Sequence, residues 1–298
     1  MTTIADIGER GLIARLRAGT RDGNGVVTGI GDDCAVVRQC ADSATDLVLK
    51  SDCVIEGRHF AAGSDGRLVG RKAVGRVLSD IAAMGAAPRW FLADLVAAPE
   101  TLVEYVDEVY AGMAELSAKY GFTLVGGDTA QGNVFELHIF GVGDIPRGTA
   151  VLRSGAKVGD GVFVTGALGG SFKSGKHLNF EPRVREGALL RGRANAMIDI
   201  SDGLASELHH IANASGVSIE IDSASIPLNP GATIENALFD GEDFELLFTA
   251  HAQDEAGGFK IGRVIPRADV GGGGAAVMID GTALPDGGFD HFKFKDEG

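Results

Sequence analysis

Cysteine is scarce: the chain has only Cys34, Cys40 and Cys53, an odd count without CxxC spacing. That pattern excludes a disulfide framework and suggests no zinc site, so buried or idle thiols are expected. Long hydrophobic runs are also missing. No apolar stretch approaches the roughly 20 residues that span a bilayer, and the N-terminal residues lack the basic region and apolar run of a signal peptide. A folded cytoplasmic protein is the expectation. Basic charge is short as well, 27 Lys and Arg against 41 Asp and Glu, for a formal net charge of −14. Such a balance argues against a protein that tracks nucleic acid, where Lys and Arg must neutralise phosphates. One Trp and three Tyr against fifteen Phe point to core packing rather than stacking platforms.

What is present fits an ordinary globular chain. Its 298 residues are 45% hydrophobic and 23% charged, enough for two domains with real cores, and 45 glycines imply many tight turns. Apolar spacing predicts a helix over residues 4–17, a strand near 26–30 and another at 46–50. Val69, Ala73, Val77, Ile81 and Met84 recur every three or four positions, predicting a helix from Leu68 to Met84 packed along one stripe. A strand (91–96), a helix (102–120) and strands at 123–125 and 135–142 follow. Pro and Gly in 144–148 suggest a break, giving domains of 1–147 and 148–298. The second half alternates likewise, with strands at 162–165, 218–221, 244–249 and 259–264, a helix to about residue 214, and a hairpin-like turn at 271–274. Each half is therefore expected to be an α/β or α+β unit.

Aspartates at glycine-rich corners stand out: Asp33 after Gly29-Ile30-Gly31-Asp32, Asp52 after Ser51, Asp80 after Ser79, Asp128 after Gly126-Gly127, and Asp199 and Asp202 around Ile200-Ser201. Any one of them can be a turn or helix cap. Six in one chain, with no dense basic patch to balance them, favour magnesium ions shared with a polyphosphate. Residues 170–177, Gly-Ser-Phe-Lys-Ser-Gly-Lys-His, nearly spell a P-loop. His177 fills the slot that needs Ser or Thr, and Pro182 disfavours the helix that should follow, so the motif is set aside. Arg153 begins a loop ending in Gly and Lys and carries the guanidinium suited to bidentate phosphate contacts.

The ordered series Gly29–Asp33, Ser51-Asp52 with His59-Phe60, Ser79–Gly85, Gly126–Thr129, Arg153–Ala156, Asp199–Leu204, Gly241-Glu242-Asp243 and Phe289–Phe292 resembles the thiamine-monophosphate kinase family. That family belongs to the aminoimidazole ribonucleotide synthetase superfamily. The resemblance implies a two-domain fold in which the N-terminal α/β domain pairs its sheet with a second subunit, hence a homodimer, with ATP near the junction. Position by position it implies magnesium at Asp33, Ser51, Asp52, Asp80, Asp128, Asp199 and Asp202. It implies ATP contacts at Tyr110, Gly127, Asp128, Arg153 and Ser201, and thiamine monophosphate contacts at His59, Glu242 and Phe289. No residue is implied as a general base; Asp128 and Arg153 would assist transfer.

Two departures are visible. Lys50 stands where a small hydroxyl residue is expected to help hold a metal, and an ammonium cannot bind magnesium, so its charge is expected to replace part of one cation's role. The segment 170–194 is shorter than that family usually has. An ATP-dependent cyclase or synthetase of the same superfamily, and a non-catalytic nucleotide or cation binder, are the alternatives; Glu242 and the Phe289–Phe292 ending favour the kinase.

Overall fold

The computed structural model describes residues 2–20, 22–251, 257–267, 276–289 and 292. Thr3 and Asp6 form a capping box that starts α1 (Ile4–Gly19), a helix bent at Gly8. The first sheet is built from β1 (Val26–Thr28), β2 (Ala35–Val37), β3 (Thr45–Ile55), β4 (Ala87–Ala97), β5 (Thr123–Gly126), β6 (Thr129–Gln131) and β7 (Glu136–Pro146). Helices α2 (Gly66–Ala83) and α3 (Val103–Tyr120) flank β4 in the chain. Strand order is β1-β2-β3-β7-β4-β5, with β6 also on β4.

The centre of this sheet is the antiparallel pair β3 and β7, in register from Thr45 opposite Pro146 to Ile55 opposite Glu136. Side chains alternate along a strand, so Val48, Lys50, Asp52 and Val54 share the face covered by α2, and Ser51 points to the other. On that other face Trp90, Leu92 and Val125 are 50%, 37% and 56% exposed, an open apolar surface.

After residue 147 the chain forms β8 (Asp160–Val164), the short α4 (Ser171–Ser174), α5 (Val184–Leu190), β9 (Ala194–Asp199), α6 (Leu204–Ser215), β10 (Ser218–Ile221) and α7 (Ile234–Phe239). Strands β11 (Leu246–His251), β12 (Phe259–Ile265), β13 (Val277–Ile279) and β14 (Thr282–Ala283) complete a second sheet of order β14-β13-β10-β12-β8-β11-β9. Alternation splits this sheet between two cores. Val162, Val164, Ile198 and Leu247 pack with α6, whereas Phe163, Met197, Leu246 and Phe248 join the core built around α2.

Helix α2 therefore lies between both sheets, and it is not the one-sided helix that its apolar spacing predicts. Fourteen of its eighteen residues are buried, including Lys72, Ser79 and Asp80. Small residues allow this. A Cβ on Gly70 would stand 1.8 Å from the Val109 carbonyl oxygen of α3, so only glycine admits that approach.

Other expectations shift at their edges. Asp144–Pro146 belongs to β7, because its residues still pair with β3, and the chain leaves the sheet only at Arg147. The strand expected from Phe244 begins at Leu246, because Glu242 and Phe244 adopt positive φ of 53° and 51°. The three thiols are free. The turn at 271–274, and Asp290 and His291, lie outside the described residues.

Candidate functional site

Three elements deliver one carboxylate each to a common point: Asp33 from the turn before β2, Asp80 from α2 and Asp199 from the end of β9. A ligand oxygen of each lies within 4.8 Å of the others, and all three residues are buried. Like charges so close in a dry setting repel unless cations intervene. Two cations from the chain do. Arg153 grips Asp33 with Nη2 at 2.5 Å and Nε at 3.1 Å, both on Oδ1. Lys50 Nζ donates to Asp80 Oδ1 at 2.7 Å. Asp199 accepts the Ser79 hydroxyl at 2.6 Å.

The charges register this crowding. Burial and the surrounding carboxylates hold Asp80 well above the ordinary range even beside Lys50. Burial and Asp33 push Asp199 up to about 7. Burial opposes the Lys50 ammonium, but Asp80 and Asp52 outweigh it, so Lys50 stays protonated at any physiological pH.

The trio fits a hard divalent cation. Its donors are all carboxylate oxygens, the set magnesium prefers, and Asp33 Oδ2 is buried without a hydrogen-bond partner among the described residues. A buried carboxylate oxygen left this way is unfavourable unless something cationic meets it. Asp32 plays a different part. Its carboxylate accepts the Asp33 amide at 3.1 Å and the Arg153 amide at 3.2 and 3.3 Å, pinning the two segments together.

The other expected residues lie on several elements, and the described contacts do not bring all of them to this centre. Asp52 is held by Arg76 through two bonds of 3.2 Å; burial raises its pKa, but Arg76 and Lys50 outweigh that and leave it lowered. Ser51 is exposed on the opposite sheet face. Asp128 is exposed, its carboxylate accepting the Thr129 amide at 2.8 Å. Gly127 packs where a Cβ would stand 1.9 Å from the Ala93 carbonyl oxygen, which by itself requires glycine there. Tyr110 is 37% exposed on α3. Asp202 sits in the loop that opens α6, its pKa raised to about 6 by burial and Glu9.

That loop also binds two of the three residues expected to meet substrate, Glu242 and Phe289. The Glu242 amide donates to the Ser201 carbonyl at 2.7 Å and the Phe289 amide to the Asp202 carbonyl at 3.0 Å. His59 is buried, its Nδ1 accepting the Ile55 amide at 3.0 Å. Asp243, next to Glu242, is an anchor that accepts from the Gly169 amide and the Ser171 hydroxyl. Lys176 of the near P-loop turns inward to the Ala167 carbonyl at 2.9 Å and to Glu245, and α4 spans four residues, so no phosphate cradle forms there.

Sequence reasoning missed Lys72, Arg76 and Glu207. Glu207 accepts the Asp202 amide at 2.8 Å and the Ser206 hydroxyl at 3.1 Å, fixing the loop from below. Lys72 and Arg76 are one turn apart in α2, which also carries Arg67 and Arg71. With four basic residues in the same helix, nothing in the local sequence singles out Lys72 and Arg76.

Residues 31–145 match the N-terminal domain of AIR synthase related proteins and 181–260 the C-terminal domain. A thiamine-monophosphate kinase of Aquifex aeolicus is 34% identical over 88% of this chain and 92% of its own. The Escherichia coli K12 thiamine-monophosphate kinase is 35% identical over 81% of this chain and 82% of its own. A solved structure described as AaThiL complexed with AMPPCP and TMP is 32% identical, with a TM-score of 0.86 over 98% of this chain and 99% of that one.

Proposed function

The chain belongs to the thiamine-monophosphate kinase family, and on that premise we propose that it transfers the γ-phosphoryl group of ATP to thiamine monophosphate. The bond between the γ-phosphorus and its bridging oxygen breaks, a bond to an acceptor phosphate oxygen forms, and the products are ADP and thiamine diphosphate. The observation that carries this reading is the buried trio Asp33, Asp80 and Asp199 with one Asp33 oxygen left open.

The acceptor is a phosphate monoester whose second pKa is about 6, so its oxygen is already anionic near neutral pH and needs no general base. Repulsion between two phosphates is the obstacle. Asp33, Asp80 and Asp199 would hold magnesium, with Asp52, Asp128 and Asp202 as further carboxylate donors, and magnesium when bound would neutralise phosphate charge during an in-line displacement. Arg153 commits Nε and Nη2 to Asp33, which leaves Nη1 for an anionic oxygen of the nucleotide. Lys50 adds fixed positive charge beside Asp80. Tyr110, Gly127 and Ser201 contact the nucleotide. His59, Glu242 and Phe289 receive the thiamine part, whose cationic ring suits an acidic and aromatic surface.

Residues 1–147 form the N-terminal nucleotide- and magnesium-binding dimerisation domain, and 148–298 the C-terminal domain, which adds Arg153, Asp199, Ser201, Asp202, Glu242 and Phe289 to the site. The open face bearing Trp90, Leu92 and Val125 pairs with the same face of a second copy, because exposed apolar side chains on one sheet face suit burial against an identical face. None of the described helices is long and apolar enough to cross a membrane, and the reaction is assigned to the cytoplasm.

Purified protein given magnesium, ATP and thiamine monophosphate should form thiamine diphosphate one-for-one with ADP. ADP without that product sinks the kinase reading. Asp128→Asn should abolish turnover while leaving the thermal melt unchanged.

A further inference from the structure

Lys72 has a side chain with no exposed surface, yet it carries a charge. A buried ammonium is tolerated only when its protons are taken up by good partners. Here the partners are Glu242 Oε2 and the His59 main-chain carbonyl, each at 2.6 Å. Glu242 comes from the second half of the chain and His59 from the first, so one ammonium bridges the junction of the two. The Phe172 ring lies 5.6 Å from the same nitrogen.

Glu242 is itself held in an unusual state. Its φ of 53° lies in the left-handed region, which a non-glycine residue keeps only when its surroundings over-determine it. They do: Lys72 takes one carboxylate oxygen, Arg76 Nη1 takes the other at 3.1 Å, and the amide is bound to the Ser201 carbonyl. Arg76 continues from Glu242 to Asp52. A core ion pair needs only charge balance, whereas this one fixes the carboxylate of a residue with a left-handed backbone, whose own amide is tied to Ser201 in the loop between Asp199 and Asp202.

We propose that Lys72 is a positioning residue for the organic substrate, locking the Glu242 carboxylate and the His59 turn into one geometry at the junction of the two halves. This rests on the kinase reading above. Preorganisation of that kind affects affinity for the ligand the carboxylate meets and leaves the nucleotide alone.

The test is calorimetric titration of the full-length protein, wild type, Lys72→Met, Glu242→Gln and the double variant, with thiamine monophosphate and separately with a non-hydrolysable ATP analogue. Lys72→Met should weaken thiamine monophosphate roughly 10- to 100-fold, the range of a lost bond to a charged group, and should not weaken the nucleotide. In the Glu242→Gln background the same change should add less than about 2-fold, because the two residues act as one unit. Equal weakening of both ligands, no weakening, or full additivity overturns the proposal. If Lys72→Met fails to fold, Lys72→Gln, which keeps hydrogen-bond donors, takes its place; failure of both to fold shows that Lys72 serves only the core and overturns it too. Wild type that binds and phosphorylates thiamine monophosphate while Lys72→Met is normal sinks this inference alone, whereas wild type that does neither sinks the kinase reading.

Discussion

Arg153 holds Asp33 by a single carboxylate oxygen: both guanidinium contacts, at 2.5 and 3.1 Å, fall on Oδ1, and Oδ2 is buried with no hydrogen-bond partner among the described residues. The arrangement neutralises the aspartate and still leaves one hard oxygen available to a cation shared with Asp80 and Asp199.

Removing that charge should empty the site. Asp33→Asn is expected to lower manganese affinity at least about 100-fold, beyond what loss of a supporting contact to a metal ligand produces. Counting free manganese by electron paramagnetic resonance, without any turnover, checks this. Unchanged affinity takes Asp33 out of the metal site.

Lys50 occupies Asp80 as a tethered monocation. Lys50→Ser should raise by one the number of manganese ions bound at saturation with the ATP analogue, and should steepen the magnesium dependence of turnover. An unchanged count and an unchanged dependence refute the idea that its ammonium replaces part of a metal's role.

Acid groups with raised pKa values make the metal-free protein sensitive to alkali. Burial, with Asp33 beside it, raises both Asp32 and Asp199 to about 7, and burial with Glu9 raises Asp202 to about 6. The folded state then binds protons that the unfolded chain releases near its ordinary value of about 4, so stability falls as pH rises through that interval and levels off above about 7. Thermal melts in a chelator should therefore show a lower Tm at pH 8 than at pH 5.5. Magnesium, which favours the ionised carboxylates, should raise Tm more at pH 8. A Tm increment from magnesium that is the same at both values refutes the linkage.

The exposed pair Trp90 and Leu92 alternates with buried Phe91 and Ala93 on β4. Trp90→Glu places a charge on the open face and should convert a dimer to a monomer in light scattering, with no loss of helix content. A variant that keeps its mass, or wild type that is monomeric, refutes pairing through this face.

Gly70→Ala should destabilise the fold by roughly 1–3 kcal/mol or more, the cost of overpacking, because the added methyl meets the Val109 carbonyl at 1.8 Å. Denaturant unfolding reads this directly. Ala at exposed Gly63, where a Cβ meets nothing but φ is +76°, is the control for backbone strain without a clash.

Much of the molecule was legible in the chain. Period and turn chemistry located α3, β5, β10 and β12 to within a residue or two, with glycine stops such as Gly121 after α3. The aspartate corners were legible as a set, and the order of the motifs pointed to the family.

Local pattern was enough to establish that acidic groups recur at strand and helix ends, since glycine and small residues beside them permit close approach whatever the partner. Which of those groups meet was settled by tertiary packing. Asp33, Asp80 and Asp199 are brought together from three elements far apart in the chain, while Ser51, adjacent to Asp52, is turned away by the alternation of β3. The same holds for Lys72. Its helix reads as a one-sided apolar stripe until a second sheet closes over it, and burial then obliges its charge to find Glu242, 170 residues away. Contact between such distant residues depends on chain crossing and burial, which no local pattern encodes.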